Sequence, residues 1–169
     1  MPSRATPLRA TPRRRPDVRA LLQRVDRAAV RVEGREVASI GQGLLILLGV
    51  GHDDTEAIAG ALAKRVTELR IFQDESEKTN RSILDIDGSA LVVSQFTLYA
   101  DTSRGRRPGF TKAAAPELAE KLYLGFAEAL QEAGVGDVQT GEFGAEMLVE
   151  LVNDGPFTIW LDTASGEGR

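Results

Sequence analysis

The segment VRALLQRVDRAAVRVEGREVASIGQGLLILLGV, residues 18–50, decides the fold. Val18, Ala20 and Leu22 alternate with Arg19, Leu21 and Gln23, the period of two that marks a strand. Residues 28–32 and 36–40 flank Glu33-Gly34 and predict a hairpin. Gly41-Gln42-Gly43 then turns the chain into residues 44–50, an unbroken apolar run of strand length, as expected for a strand covered on both faces.

Working outward, Asp53, Asp54 and Thr55 supply N-cap oxygens, and Ile58, Leu62, Val66 and Leu69 recur at helical spacing up to Arg70. Residues 74–78 read as a polar loop, residues 83–86 as a short strand, and Asp87-Gly88 as a turn into a strand over residues 90–95. Pro116 and Glu117 open a second helix with Leu118, Leu122, Phe126 and Leu130 on one face, stopped by Gly134. Extended segments follow over residues 138–143, 147–152 and 157–161. About eight strands and two helices in mixed order point to an α/β or α+β fold, helices packed on sheets, without internal repeats.

A chain of 169 residues, 42% hydrophobic, is the size of one domain. No apolar run approaches the roughly 18 residues of a membrane span. With no cysteine there is no disulfide frame, thiolate nucleophile or Cys-type zinc site, and a reducing cytoplasm fits. The first sixteen residues carry five arginines, four prolines and no acid. Residues 1–17 are therefore expected to be a disordered basic extension, either a tether for RNA or a dispensable addition, and residues 163–169 a flexible tail. The body then holds sixteen Lys and Arg against twenty-five Asp and Glu, a formal charge of −9, so any RNA contact must be local. Its one dense basic cluster is Arg104, Arg106 and Arg107.

Several chemistries are disfavoured. A Ser-His-Asp or Cys-His hydrolase needs an imidazole, and the single histidine, His52, reads as a solvated loop residue at a strand end. Asp85, Asp87 and Asp101 are raw material for a magnesium site, but their spacing singles none out and turn acids explain them. Gly41-Gln42-Gly43 has Ile46 where a dinucleotide fingerprint needs its third glycine, and a strand follows where a helix is required. Asn80-Arg81-Ser82 is a formal glycosylation sequon with no secretory signal to expose it. No metal and no cofactor is expected.

Two loops stand out. SQFTLYAD, from Ser94 to Asp101, follows an apolar strand, and strand ends present free N–H groups and small polar side chains to ligands. NDGPFT, from Asn153 to Thr158, contains a Gly-Pro bond and reads as a turn between two strands. Neither alone names a reaction.

Together they resemble the D-aminoacyl-tRNA deacylase family, whose signatures SQxT and NxGPxT stand here as SQFT and NDGPFT. LLQRVDRAAV, GQGLLILLGV, LRIFQDE, DTSRGRRPGF and FGAEMLVELVNDGP extend the resemblance over residues 18–162, the expected domain. Phe157, Gly109 and Thr79 depart from the valine, serine and methionine usual at those positions.

The resemblance implies a single-domain α/β, α+β-like fold: mixed sheets in a sandwich or barrel-like body, two main helices outside, and a homodimer. It implies a cytoplasmic hydrolase that cleaves the ester of D-aminoacyl-tRNA, and also glycyl-tRNA mischarged on tRNA(Ala). The Gly155-Pro156 bond is expected cis, its loop entering the partner's active site and excluding L-amino acids by a clash. N–H groups near Phe96 and Thr97 would polarise the carbonyl, with the ribose 2′-OH assisting attack. That agrees with the lack of an evident side-chain base. Ser94 and Gln95 would shape the pocket and donor array, and Thr97 would position substrate. Met147, Asn153, Thr158 and Arg24 are expected around the substrate, Arg24 holding the incoming loop. Arg104, Arg106 and Arg107 would meet acceptor-end phosphates. The competing readings are a non-catalytic RNA-binding module, a metal-dependent phosphoesterase and a broad esterase.

Overall fold

The computed structural model describes residues 15–165. The expected extension over residues 1–17 and tail over residues 163–169 therefore lie outside the described residues, apart from three residues of each.

The alternation that begins at Val18 runs further than two short strands. β1, Arg19–Val32, is one strand of 14 residues. One of its edges takes two partners: β3, Gly43–Gly49, beside residues 19–25, and β2, Arg35–Ile40, beside residues 28–32, both antiparallel. The hairpin turn is Glu33-Gly34, both at positive φ, with glycine at the second position where a side chain is least welcome. β6, Ser89–Ser94, lies parallel to β3, and β7, Asp137–Thr140, parallel to β6. The sheet order is β2-β1-β3-β6-β7, with β8, Leu148–Asp162, on the other edge of β1.

This mixed sheet curls until its ends approach, giving the barrel-like body expected. Ser39 N–H of β2 donates to Gln139 Oε1 of β7 at 3.1 Å, and Arg35 pairs with Glu142 at 3.8 Å. Inside lie Val25, Val30, Ile40, Leu45, Leu91 and Val93. Outside, Leu44, Ile46, Leu48 and Val92 pack against the two helices. β3 thus puts Leu44 and Ile46 on one side and Leu45 on the other, which is why its sequence shows no alternation.

Helix α1, Glu56–Glu68, is capped by Thr55, whose hydroxyl accepts from Ile58 N–H at 3.4 Å. Helix α2, Pro116–Glu132, starts with proline in its first turn and ends at Gly134 (φ +111°), where Val135 N–H reaches back to Leu130 O at 3.1 Å. Its Leu122, Tyr123, Phe126 and Leu130 are buried, each such side chain contributing about 1.5–3 kcal/mol. The Tyr123 hydroxyl lies 3.1 Å from Val92 O and 3.2 Å from Gly141 O, fixing the helix over the ends of β6 and β7.

Two expectations need correction, and one small hairpin was not foreseen. Residues 83–86 form a turn, not a strand: Ser82 donates its N–H and hydroxyl to Asp85 Oδ2 at 2.8 and 2.9 Å, and Gly88 N–H closes onto Ile83 O at 2.9 Å. Residues 74–78 are a loop as expected, but join an unforeseen small hairpin of β4, Phe72–Gln73, and β5, Thr79–Arg81. Residues 153–158 do not reverse the chain. β8 runs antiparallel to β1 both before and after them, with Asn153 opposite Val25 and Thr158 opposite Gln23. Residues 154–157 face only Arg24 and form an excursion within one strand.

Candidate active site

β6 and β7 are parallel, and both leave the sheet at the same end, where parallel strands commonly present ligand sites. Gln95 N–H bonds Leu48 O at 2.8 Å, and the chain then folds into the short 3-10 helix Phe96–Tyr99. The opening N–H groups of such a turn have no acceptor inside it.

This turn walls a pocket of ≈ 630 Å³. Its lining draws on Ser94, Gln95 and Phe96 at the end of β6, on Phe110, Ala113 and Pro116 leading into α2, and on Phe143, Met147 and Val149 leading into β8. Phe96 is 55% exposed and meets Phe110 edge to face, centroids 5.0 Å apart. Met147 is seated by a missing side chain, since a Cβ on Gly141 would lie 2.7 Å from its sulfur. Thr97 is exposed, and its hydroxyl accepts from Gln95 Nε2.

The second motif forms a separate cluster. Asn153 ties off the excursion, accepting from Phe157 N–H at 3.1 Å and donating to Phe157 O at 3.1 Å and Arg24 O at 2.8 Å. Arg24, 5% exposed, donates to Asp154 O at 3.0 Å and Ile71 O at 2.7 Å, and its Cζ lies 4.6 Å from the Phe157 ring centroid. Gly155-Pro156 is cis. Gly155 is the one residue type that fits, because a Cβ there would stand 2.4 Å from Phe157 N. Thr158 is at the base of the excursion, with its hydroxyl 3.3 Å from Gln23 Nε2.

Ser94, Gln95, Phe96 and Met147 therefore come together in one pocket, with Thr97 beside them. Arg24, Asn153 and Thr158 gather instead beneath the Gly-Pro excursion of their own chain, whose exposed Gly155 and Pro156 are not part of that pocket's lining. Sequence reasoning missed the pocket roles of Phe110 and Phe143. Both fall in stretches already noted for resemblance, but only the fold brings them beside Phe96.

The arginine loop adjoins the pocket through Phe110. Asp101 and Gly109 pin its base with reciprocal main-chain bonds of 2.8 and 2.9 Å, and Gly105 (φ +74°) permits its tip. Arg104 and Arg107 line a shallow hollow with Asp101 and Ser103, and Arg106 is exposed. The Ser103 hydroxyl, then its N–H, hold the Asp101 carboxyl below its ordinary range. Among the described residues no three His, Asp or Glu side chains converge as a metal site requires, and no helix is long and apolar enough to cross a membrane.

The site is an exposed aromatic pocket beside a turn whose opening N–H groups have no acceptor inside it, and among the described residues no Ser-His-Asp arrangement lines it. Comparison with known proteins identifies the class. The family model described as D-Tyr-tRNA(Tyr) deacylase matches residues 21–162. The D-aminoacyl-tRNA deacylase of Thermomicrobium roseum is 60% identical over 151 residues, 89% of this chain and 97% of that protein. That of Paracoccus denitrificans is 59% identical over 147 residues, 87% of this chain and 98% of the relative. A solved structure titled c-Myc DNA Unwinding Element Binding Protein superposes with a TM-score of 0.80 at 39% identity, covering 85% of this chain and 97% of that one. The chain belongs to the D-Tyr-tRNA(Tyr) deacylase family.

Proposed function

We propose that this protein hydrolyses the ester between a D-amino acid and the tRNA 3′ end, releasing both, as a chiral proofreading enzyme of the cytoplasm. The observation that carries the reading is the pocket beside the Phe96–Tyr99 turn, in a chain of this family. The aminoacyl carbonyl sits against the N–H groups of Phe96 and Thr97, where backbone dipoles stabilise the oxyanion without a titrating side chain. Phe96 and Phe110 offer an aromatic edge of the kind on which a terminal base stacks. Ser94, Gln95 and Met147 shape the wall, and Gln95 holds the Thr97 hydroxyl in place. The substrate's own ribose 2′-OH relays the proton, since Thr97 is bonded to an amide rather than to a base.

The Gly155-Pro156 loop is the stereochemical filter, delivered by the partner of a symmetric homodimer. Two features support this. The loop is exposed on a base tied by Arg24 and Asn153, and it does not line its own chain's pocket. β8 also pairs only with β1 among the described residues, and carries the exposed Leu148 and Trp160, an edge suited to a second copy. A filter that rejects an L side chain without demanding a D one admits glycine, so glycyl-tRNA mischarged on tRNA(Ala) is a substrate too. Arg104, Arg106 and Arg107 contact acceptor-end phosphates.

The test is hydrolysis of D-tyrosyl-tRNA ending in adenosine or in 2′-deoxyadenosine. Loss of the ribose ester alone is expected. Equal rates would remove the 2′-OH from the mechanism, and no hydrolysis of either would remove the function.

A further inference from the structure

The Phe96–Tyr99 turn is four residues long, and so short a 3-10 helix has too few internal bonds to hold itself. It meets the pocket with Phe96 and the start of β1 with Leu98 and Tyr99. The Tyr99 ring is 2% exposed, and its hydroxyl donates to the main-chain oxygen of Asp17. Burial pushes the Tyr99 phenol far up, so it remains a neutral donor. Arg19 lies over the ring, Cζ 4.3 Å from the centroid, and donates from Nη1 to Leu98 O at 2.8 Å. Its Nε and Nη2 grip Asp17 Oδ2 at 2.9 and 2.6 Å.

Asp17 is itself fixed, its N–H donating to the buried Asp54 at 2.6 Å. Asp54 Oδ2 accepts from Gly51 N–H, also at 2.6 Å. The seat has little slack: a Cβ on Gly49 would stand 3.1 Å from Tyr99 Cε2 and 3.2 Å from Gln95 O. The same Arg19 guanidinium faces Trp160 of β8 at 5.8 Å, touching the strand that carries the Gly-Pro excursion.

We infer that Asp17, Arg19 and Tyr99 are positioning residues, a clamp that sets the Phe96–Tyr99 turn at the height ester hydrolysis needs. Asp17 and Arg19 precede residues 21–162, the stretch the family model matches, so part of the site's foundation lies outside it. The inference rests on the deacylase reading. None of the three side chains lines the pocket, so they act through the turn, where displacements well under an ångström already slow a reaction.

The experiment compares the full chain with Arg19→Met, Arg19→Lys, Tyr99→Phe and a version beginning at Val18. It reads kcat and KM on D-tyrosyl-tRNA, and amide hydrogen exchange across residues 94–100. Arg19→Met, Tyr99→Phe and the shortened chain should each lower kcat by about tenfold with KM unchanged, the order expected when a bond fixing a donor is removed. Arg19→Lys, which keeps charge without the fork, should recover only part. Exchange should quicken in residues 94–100 while β3 and β6 stay protected. Unchanged exchange there, or unchanged kcat in an enzyme that is active, overturns the clamp. A full chain that hydrolyses nothing overturns the deacylase reading instead, and exchange still decides the clamp.

Discussion

Asn153 and Phe157 bond each other in both directions, at 3.1 Å each, and so close the four-residue excursion by which β8 departs from β1. Asn153→Ala removes both bonds and the one to Arg24 O, leaving polar groups unpaired in a partly buried base. Denaturant unfolding should show a loss of about 2 kcal/mol. The ratio of D- to L-tyrosyl-tRNA hydrolysis should fall by at least about tenfold as the loop loosens.

Arg24→Lys keeps the charge and discards the geometry. A lysine cannot reach Asp154 O and Ile71 O at once as the guanidinium does, nor lie flat against Phe157. Lys and Met variants should therefore be destabilised alike, by about 2–3 kcal/mol in thermal or chemical unfolding. A lysine variant as stable as the parent would show that charge alone holds the loop.

Much of this fold was legible. Residues 18–50 announce three strands because β1 buries one side chain in two, and β3 is apolar throughout because both its faces are covered. Pro116 and Gly134 bound α2 through their own dihedral limits, which act locally. Residues 83–86 misled because Ile83 and Ile86 look like strand residues, while the Ser82 to Asp85 bonds that bend the chain are side-chain chemistry no hydropathy pattern registers. At residues 153–158 turn-forming composition marks a departure from the strand. Whether the chain reverses is set by register against β1. Of the site, the SQFT and NDGPFT motifs were readable and their placement was not. Asn153 and Thr158 sit under the loop, Phe143 reaches the pocket beside Tyr123 of α2, and Tyr99 is held beneath the turn by Arg19 of β1, contacts between residues far apart in the chain.

Gly141→Ala tests the pocket wall. The added methyl falls 2.7 Å from the Met147 sulfur, and methionine is flexible enough to give way. Stability should drop by only about 1 kcal/mol, while KM for D-tyrosyl-tRNA shifts as the side chain swings into the pocket.

Arg104→Glu and Arg107→Glu reverse charges on a loop that does not form the core. Each should raise KM for the tRNA substrate and leave kcat alone. The slope of log affinity against log salt should shrink by about one for each phosphate no longer neutralised. A slope unchanged in both variants would place the acceptor end elsewhere.

Asp101 gives a pH test. Its folded value is depressed, first by the Ser103 hydroxyl and then by the Ser103 N–H, so its contribution to loop order is present above the ordinary carboxylate range and is lost as pH falls through the lowered value. Carboxyl NMR titration should find Asp101 below its ordinary value, and Ser103→Ala should move it back up.

The most direct measurement of the central claim is single-turnover hydrolysis of D-tyrosyl-tRNA beside L-tyrosyl-tRNA, with chelator present. Rapid loss of the D ester, with the L ester decaying at its spontaneous rate, is the result expected of a site that polarises through backbone donors and excludes by shape. Equal hydrolysis of both, or of neither, would contradict it.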